Sequence, residues 1–397
     1  MSIEALLIGL EVSNRRIAWG TKTEGRLGAF SGYRSAQQQE SSMHLFIGLD
    51  VSLEETSICV VDANGKIRKE LKAATDPDAL FAAIEPFKDR VARVGFEACA
   101  LSSWLHIELK GRGLPAIVVE ATHMRAAIKA QGHKTDRNDA KGIANMMRLG
   151  WYKPVHVKSP ESQRLRVLLS NRRLLKRKLV DIENHIRGTL RSFGLKLGKV
   201  GRGGFEERVR ELMEGKDAAT TAFISTMLAV RRGVWDGYVA LHNLLIEIVK
   251  NDPICRRFMT VPGVGPIAAL SFRAGVDDPL RFTKSRTVGA HFGLTPKVHQ
   301  SGTIAIDGHI TKRGDADVRT ALCEAAASLL MRVKKWSALK VWGLRIVQRS
   351  SMMNAVVAVA RKMAIILHRM WMDCRDFSIS AGAAVVEKRR LTGSAMV

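Results

Sequence analysis

The chain has 397 residues, 46% of them hydrophobic and 25% charged, which is the composition of a soluble globular protein with two or three domains. Its formal charge of +25 points to a polyanionic partner, while an aromatic share of 6% disfavours base stacking on many aromatic platforms. The apolar stretch 352–372 is broken by Arg361 and Lys362, which argues against a membrane span, and five scattered cysteines exclude a zinc site and fit a reducing cytoplasm.

The pattern of the first 155 residues predicts an α/β domain behind a short extension. Residues 1–42 are expected to be either a disordered extension or the result of a start codon assigned too far upstream, with Met43 as the functional beginning. Strand 44–49 follows Met43 directly and ends at Asp50. Segments 56–61 and 66–71 flank an Asn-Gly turn and predict a hairpin. Further elements are expected in the order helix 77–90 (ending or kinking before Pro86), strand 91–96 ending at Glu97, helix 101–110, strand 115–120, helix 122–131 and helix 136–149.

This order of elements is that of a ribonuclease-H-like mixed sheet with flanking helices, and it assigns residues 43–155 to one domain. Residues 43–150 contain 15 basic and 14 acidic side chains, whereas residues 151–397 contain 43 and 20. A neutral domain followed by a strongly basic half predicts catalysis in the first and nucleic-acid binding in the second, weakening as salt rises. The alternatives are a solvated basic surface and a ribosome-like RNA binder.

Residues 156–253 are predicted to be a basic helical region with a coiled-coil seam. Apolar residues recur at steps of four, three, four and seven, at Leu175, Leu179, Ile182, Ile186 and Phe193. Beside them lies a cluster of candidate nucleic-acid-binding cations, which comprises Arg172, Arg173, Lys176, Arg177 and Lys178. A Gly-rich break precedes a second helix at 218–250. Either an antiparallel pair or a dimerising arm fits this pattern, and an ordinary helical hairpin within one subunit remains the alternative.

Residues 254–378 are predicted to be a mainly helical domain, and 379–397 a disordered tail. Gly263 and Gly265 precede a helix start and resemble the hairpin of helix-hairpin-helix DNA binders, in which backbone N–H groups approach a phosphate; a tight interhelical turn is the alternative. A polar hairpin follows, carrying the cations Lys297, Lys312 and Arg313.

Ser301 sits beside Gly302 at the turn of this hairpin. A serine hydroxyl needs a base or a metal to take its proton before it is a good nucleophile, and His299 or a metal cluster are the candidates. From the pattern alone, a Ser-Gly pair more often simply makes a turn.

Four carboxylates form the predicted metal site: Asp50, Glu97, Asp136 and Asp139. The first two end strands, and the other two are three residues apart on a helix, hence about 5–6 Å apart on one face. Converging carboxylates repel unless divalent cations lie between them, and all-oxygen ligands select Mg²⁺ or Mn²⁺, the ions of two-metal phosphodiester chemistry. Taken singly, Asp136 fits a helix cap and Glu97 a solvated strand end.

Together these segments resemble the DEDD transposases of the insertion sequence 110 family. The matching pieces are Gly48-Leu49-Asp50-Val51-Ser52, Phe96-Glu97-Ala98, Lys134-Thr135-Asp136-Arg137-Asn138-Asp139-Ala140, Pro262-Gly263-Val264-Gly265, Phe292-Gly293-Leu294-Thr295-Pro296, Ser301-Gly302 and Thr311-Lys312-Arg313-Gly314-Asp315. No single piece is decisive, but the ordered set is specific and covers most of residues 43–371. Two features depart from the pattern: the extension before Met43, and Gly302-Thr303-Ile304, where a second small or polar residue is common.

The resemblance implies a RuvC-like nuclease domain whose Asp-Glu-Asp-Asp set is Asp50, Glu97, Asp136 and Asp139. It also implies a transposase domain in which Ser301 forms a covalent link to DNA, with active-site halves meeting between subunits of a coiled-coil homo-oligomer, a dimer or tetramer. The implied partners are donor and target DNA and a structured bridge RNA, in a prokaryotic, nucleoid-associated setting without membrane. Competing hypotheses are a RuvC-type junction nuclease that uses activated water, and a non-catalytic nucleic-acid-binding scaffold.

Overall fold

The computed structural model describes residues 44–121, 135–301 and 304–378, and only the backbone of residues 299, 301 and 304–307. The predicted extension, the predicted helix 122–131 and the predicted tail lie outside these ranges. The chain divides into two compact units, the first ending at Val157 and the second beginning at Lys158. None of the helices in the described ranges is both long and apolar enough to cross a membrane.

The first unit is built on a five-stranded mixed sheet with the order β3-β2-β1-β4-β5. Its strands are β1 (Leu45–Val51), β2 (Glu55–Asp62), β3 (Ile67–Ala74), β4 (Val91–Glu97) and β5 (Ala116–Val119). The β1–β2–β3 meander is antiparallel, and β4 and β5 add in parallel beside β1. The predicted mixed sheet is therefore confirmed, and β1 lies at its centre.

Helices cover both faces of this sheet. They are α1 (Pro77–Ile84), α2 (Ser102–Gly111) and α3 (Asp136–Leu149). Leu80 and Leu105, from α1 and α2, pack with Ile47 and Phe96 in one core, because alternate residues of a strand point to the same face. The α-helical part of the segment after Pro77 ends at Ile84 and continues as a 3₁₀ turn through Pro86, as a proline at that position predicts.

The second unit begins with a long helical pair. Its helices are α4 (Pro160–Ser192), α5 (Phe205–Met213) and α6 (Ala218–Asn251). Leu179 and Ile186 of the predicted seam are fully buried, while Phe193 is 47% exposed. Arg231 of α6 donates to Glu183 of α4, so the two helices pair within one chain. The dimerising arm therefore stays a prediction.

Helices of the C-terminal region complete the second unit around a two-stranded hairpin. The helices are α7 (Pro253–Met259), α8 (Pro266–Val276), α9 (Arg286–His291), α10 (Ala316–Met331), α11 (Ala338–Arg349) and α12 (Met352–Asp373). The hairpin consists of β6 (Pro296–Ser301) and β7 (Ile304–Ile310). Leu165 and Leu245 of the long helices share one hydrophobic core with Phe258, Leu322 and Met363, so the long pair and the C-terminal helices fold together.

A buried aspartate organises the β2–β3 turn. The side chain of Asp62 accepts hydrogen bonds from the backbone N–H groups of Asn64 (2.9 Å) and Lys66 (3.0 Å) and from Nε of Arg68 (2.8 Å). Burial alone would raise the pKa of Asp62, but the N–H donors of Lys66 and Asn64 and the Arg68 guanidinium lower the pKa overall. The ionised carboxylate is therefore part of the folded turn.

We expect Asp62→Asn to lower the free energy of unfolding at pH 7 by about 1.5–3 kcal/mol, the range for hydrogen bonds to a charged group. A depressed carboxylate pKa stabilises the fold above the ordinary value, and this stabilisation is lost as pH falls through the folded pKa. The difference between wild type and variant in urea unfolding should thus shrink below about pH 4. Asp89→Asn, at an exposed site, is the control, and a pH-independent difference would contradict this account.

Candidate active site

Two of the predicted carboxylates end neighbouring parallel strands. The register of β1 and β4 pairs Leu49 with Phe96, so the following residues, Asp50 and Glu97, are adjacent across the sheet. Both are partly exposed, in contrast to the buried pair before them. The carboxyl ends of parallel strands are where side chains leave the core and form sites in open sheets. The structure therefore brings Asp50 and Glu97 to one edge.

The other two carboxylates lie in the first turn of α3. Thr135 caps this helix, since its hydroxyl accepts the backbone N–H of Asn138 at 3.2 Å. The alternative that Asp136 serves as the cap is therefore wrong: Asp136 is the first helical residue and is exposed, and Asp139 follows one turn later, partly buried. Both are at the positive end of the helix dipole, which favours carboxylates there.

Two glycines in the sheet determine how closely α3 approaches. A Cβ atom at Gly48 would overlap the Ala140 carbonyl oxygen, and one at Gly95 would overlap the Met147 side chain. Gly48 and Gly95 are paired in the register of β1 and β4, so the helix packs directly on the backbone of both strands at this point. A glycine inside a strand often marks such a close backbone approach.

The far end of α3 is tied to the opposite end of the sheet. Arg93, near the start of β4, donates from Nη1 to the Met147 carbonyl at 2.7 Å, and Arg148 donates to the Ala63 carbonyl at 3.3 Å in the β2–β3 turn. Since the C-terminal end of α3 lies at the amino ends of β1 and β4, its first turn lies toward their carboxyl ends.

Lateral contacts from β3 hold the first turn of α3. Arg137 donates to Glu70 from Nε (2.8 Å) and from Nη2. The pKa of Glu70 is lowered, chiefly by the Arg137 hydrogen bonds, against the effect of burial. The pKa of Lys72 is raised first by its hydrogen bond with Glu55 and to a smaller extent by the charge of Asp136.

An oxygen of Asp139 supports a cation site. Its Oδ1 is buried and has no hydrogen-bond partner among the described residues, which is costly unless a donor or cation is nearby. Asp50 and Glu97 lie two residues beyond Gly48 and Gly95, hence on the sheet face that α3 covers. The chemistry of this donor set, carboxylate oxygens only, fits Mg²⁺ or Mn²⁺.

The four carboxylates do not form one tight cluster. Within residues 44–121, 135–301 and 304–378, no three Asp, Glu, His or Cys side chains are close enough to share a metal ion. Asp136, the first residue of α3, is exposed, whereas Asp50, Glu97 and Asp139 are partly buried. The structure brings Asp50 and Glu97 together and places Asp139 on the overlying helix.

Ser301 ends strand β6 and pairs with Ile304, so it lies at the tip of the hairpin. At the base of the hairpin, the segment before β6 packs closely against the segment after β7, and each contributes a glycine to the contact. A Cβ at Gly293 would overlap the backbone of Arg313, and one at Gly314 would overlap the carbonyl oxygen of His291. The predicted Gly-punctuated hairpin is confirmed, and Lys297, Lys312 and Arg313 on it are exposed.

The two glycines of the predicted phosphate grip have different roles. Gly263 has a φ of 91°, and a Cβ there would lie 2.6 Å from the Ala325 carbonyl oxygen, so this glycine lets the turn pack on α10. Gly265 precedes α8, has open space around its Cα, and no side chain caps the helix. Gly263 is partly exposed, and the prediction that both glycines approach a phosphate stays a prediction.

Several cations of the basic cluster on α4 are used within the protein. Arg172 donates to Tyr238 (2.8 Å) and His242 (3.2 Å), Arg173 pairs with Asp317, and Lys178 lies 3.5 Å from Asp181. The other two, Lys176 and Arg177, are exposed and pair with no described carboxylate. In this cluster, Lys176 and Arg177 are cations whose charge no described carboxylate of the protein offsets.

Two family models match the chain. The insertion sequence 110 DEDD transposase model matches residues 47–194, and a model described as "Transposase IS116/IS110/IS902 family" matches residues 255–341. The chain is 28% identical, over 81% of its length and 88% of the relative, to "Transposase for insertion sequence element IS1111A" of Coxiella burnetii (strain RSA 493 / Nine Mile phase I). It is also 28% identical, over 81% of its length and 95% of the relative, to "Probable family 20 transposase" of Pseudomonas aeruginosa.

Among solved structures, a similarity is found to "T. thermophilus RuvC in complex with Holliday junction substrate", with a TM-score of 0.23 and 14% identity, over 28% of this chain and 99% of RuvC.

We expect Gly48→Ala to destabilise the first unit by roughly 1–3 kcal/mol, because the added methyl group pushes α3 away from β1. Gly111→Ala, at the end of α2 with nothing within 4 Å of the added atom, is the matched control and should be neutral or slightly stabilising. Urea unfolding of the full chain measures both. Equal stability of the two variants would show that α3 does not rest on Gly48.

Proposed function

Because the chain belongs to the insertion sequence 110 family of transposases, we propose that it cleaves and exchanges DNA strands at the ends of a mobile element. The observation that carries this proposal is the paired strand ends Asp50 and Glu97 under the first turn of α3, where a buried oxygen of Asp139 has no described hydrogen-bond partner. We also propose that the mixed sheet is of the ribonuclease-H/RuvC type and that the protein acts in the prokaryotic cytoplasm.

In this proposal Asp50, Glu97, Asp136 and Asp139 hold Mg²⁺ or Mn²⁺. Such ions neutralise the scissile phosphate and favour ionisation of the attacking oxygen. The chain's own contribution is positional: Gly48 and Gly95 set the height of α3, and the first turn of the helix supplies two carboxylates from above the sheet edge. Arg137, bound to Glu70, holds that turn laterally.

Ser301 is the proposed nucleophile. Its Oγ attacks a DNA phosphorus, a P–O bond to the departing strand breaks, and the serine proton ends on the departing hydroxyl. The resulting phosphoserine preserves the energy of the phosphodiester, so a hydroxyl of another strand can attack it and restore Ser301. Its position at a hairpin tip suits contact with a DNA backbone, and the exposed cations Lys297, Lys312 and Arg313 lie toward the base of the same hairpin.

A structured bridge RNA is the proposed source of sequence choice. Pairing with donor and target DNA would supply specificity, while exposed cations such as Lys176 and Arg177 grip phosphates without reading bases. The excess of 43 basic over 20 acidic residues after residue 150 supports this division. We propose that the working form is a homo-oligomer, a dimer or tetramer.

We expect Asp50→Asn and Asp139→Asn to reduce strand exchange by roughly 100-fold or more, since each removes a carboxylate that would hold the divalent cation at the reacting phosphate. Binding to DNA and RNA should stay near the wild-type level. Strand exchange on element-end DNA with Mg²⁺ and the element's RNA, together with filter binding, measures the two properties. Asp89→Asn is the control, and near-wild-type exchange by either site variant would refute the carboxylate assignment and favour the non-catalytic scaffold.

We expect the wild-type chain to form a protease-sensitive covalent adduct with cleaved DNA, and Ser301→Ala to form none while still binding DNA. Denaturing gels of labelled substrate separate the adduct from free DNA. Ser192→Ala, an exposed serine at the end of α4, is the control. Cleavage without an adduct in the wild type would support hydrolysis by activated water, and an adduct that persists in Ser301→Ala would place the link elsewhere.

A further inference from the structure

A groove of about 1080 Å³ lies at the base of the Ser301 hairpin. Three elements of the second unit form its walls: the stem of β6 and β7, helix α11, and helix α12. On α11 the lining residues Trp342, Ile346 and Arg349 follow at steps of four and three, so they share one face of the helix. The groove is therefore a built feature of the fold, bordered by two helices and a hairpin.

Cations line this groove without acidic partners. Lys312 comes from the hairpin base, Arg349 from the end of α11, and Arg361 and Lys362 from α12. None of the described residues that line the groove is an aspartate or glutamate, and none of these four cations pairs with a described carboxylate. By contrast, Arg172 and Arg173 on α4 are engaged by protein groups. The groove thus concentrates positive charge that the fold itself does not use.

Apolar surface lies among these cations. Trp342 is 39% exposed and Met353 is 71% exposed. Ile346, which lines the same groove, is buried. An exposed aromatic ring and an exposed thioether beside cations can pack against the flat face of a nucleic-acid base. Such stacking does not depend on which base is present. A simple anion would leave this apolar surface in water.

One cation of the groove packs on a glycine through its aliphatic stem. A Cβ at Gly289 of α9 would lie 2.9 Å from Cγ of Arg361, so the glycine makes room for the Arg361 stem between α9 and α12. Arg361 as a whole is exposed, so its stem can pack on the protein while its guanidinium is available to a ligand in the groove.

The combination of cations and exposed rings favours an unpaired nucleic-acid strand over other polyanions. A duplex buries its base faces and presents phosphates, whereas an unpaired strand presents both phosphates and bases. We propose that this groove binds an unpaired segment of the DNA strand that Ser301 attacks, with phosphates at Arg349, Arg361 and Lys362 and a base against Trp342. This inference rests on the proposed function and specifies the state of its substrate.

The hairpin determines how far this segment lies from the reacting phosphate. Pro296 lines the groove and Ser301 ends the same strand five residues later, a distance of roughly 16 Å at about 3.3 Å per residue. Stacked nucleotides rise about 3.4 Å each along a strand, so the groove would contact DNA about five nucleotides from the cleavage point. The duplex would therefore have to open locally next to the cleavage point.

The test compares groove variants of the full chain with matched controls outside the groove. The variants are Trp342→Ala and the double variant Arg361→Gln with Lys362→Gln. Trp336→Ala, at a 63% exposed tryptophan, and Arg369→Gln, on the same helix as Arg361, are the controls. Fluorescence anisotropy is measured with three probes: a DNA duplex with a single-stranded overhang of about ten nucleotides, a blunt duplex, and the same duplex with an RNA overhang.

We expect each groove variant to bind the DNA overhang about tenfold more weakly, with blunt-duplex binding within about twofold of wild type. The double variant should also lower the salt dependence of overhang binding by about 1.4 in log–log slope, for two single-strand phosphates. Trp342→Phe, which keeps a ring, should restore much of the affinity lost in Trp342→Ala and shows that the site rather than the fold was affected.

Three results would overturn the inference. Equal losses on blunt and overhanging duplexes would make the groove a general duplex surface. A loss confined to the RNA overhang would assign it to RNA. Unchanged binding with an altered oligomeric state in light scattering would make it an interface between copies of the chain. Ser301→Ala should bind the DNA overhang like the wild type, so failure of the serine chemistry and failure of the groove are distinguished.

Discussion

The close approach of α3 to the central strand is the contact on which the candidate site depends. The first turn of α3, with Asp136 and Asp139, reaches the sheet edge because the helix packs directly on the backbone of β1 and β4. This close packing is possible because Gly48 and Gly95 have no side chains. The ties at the other end of α3 fix its direction but not its height. A feature of the backbone, the lack of two Cβ atoms, thus determines how closely the first turn of α3 approaches the sheet edge that carries Asp50 and Glu97.

A different constraint shapes the second unit, where ion pairs fasten the long helix to the C-terminal helices. Arg166 pairs with Asp315 and Arg173 with Asp317, both at the start of α10. Asp315 also caps that helix through the backbone N–H groups of Asp317 and Val318. The segment that follows the Lys312-Arg313 loop is therefore anchored on one side by α4, and part of the positive charge of α4 has a structural task.

The sequence predicted the sheet, α3 and the Ser301 hairpin because each has a strong local signal: short apolar runs that end at a carboxylate, a helical pattern after Asp136, and glycine-bounded turns. It could not choose between pairing of the Leu179–Ile186 seam within the chain and a dimerising arm, since an apolar stripe looks the same whichever helix covers it. Nor did it identify Glu70 as the partner of Arg137, because that contact joins residues far apart in the chain. Gly48 and Gly95 carried a signal, glycine inside a strand, that composition and charge do not reveal.

Charge alone is a poor guide to where a polyanion binds on this protein. The cluster on α4 has five cations in seven residues, yet three of them contact other side chains of the chain. The cations of the groove are spread over residues 312–362, where no run of basic residues marks them, and none of them has a described acidic partner. What distinguishes binding charge from structural charge is whether the fold supplies a partner, and that information lies in tertiary contacts. The unpartnered cations and the exposed ring of Trp342 occur together at the base of the hairpin that carries Ser301, and in the proposed function this is where the strand attacked by Ser301 would be held.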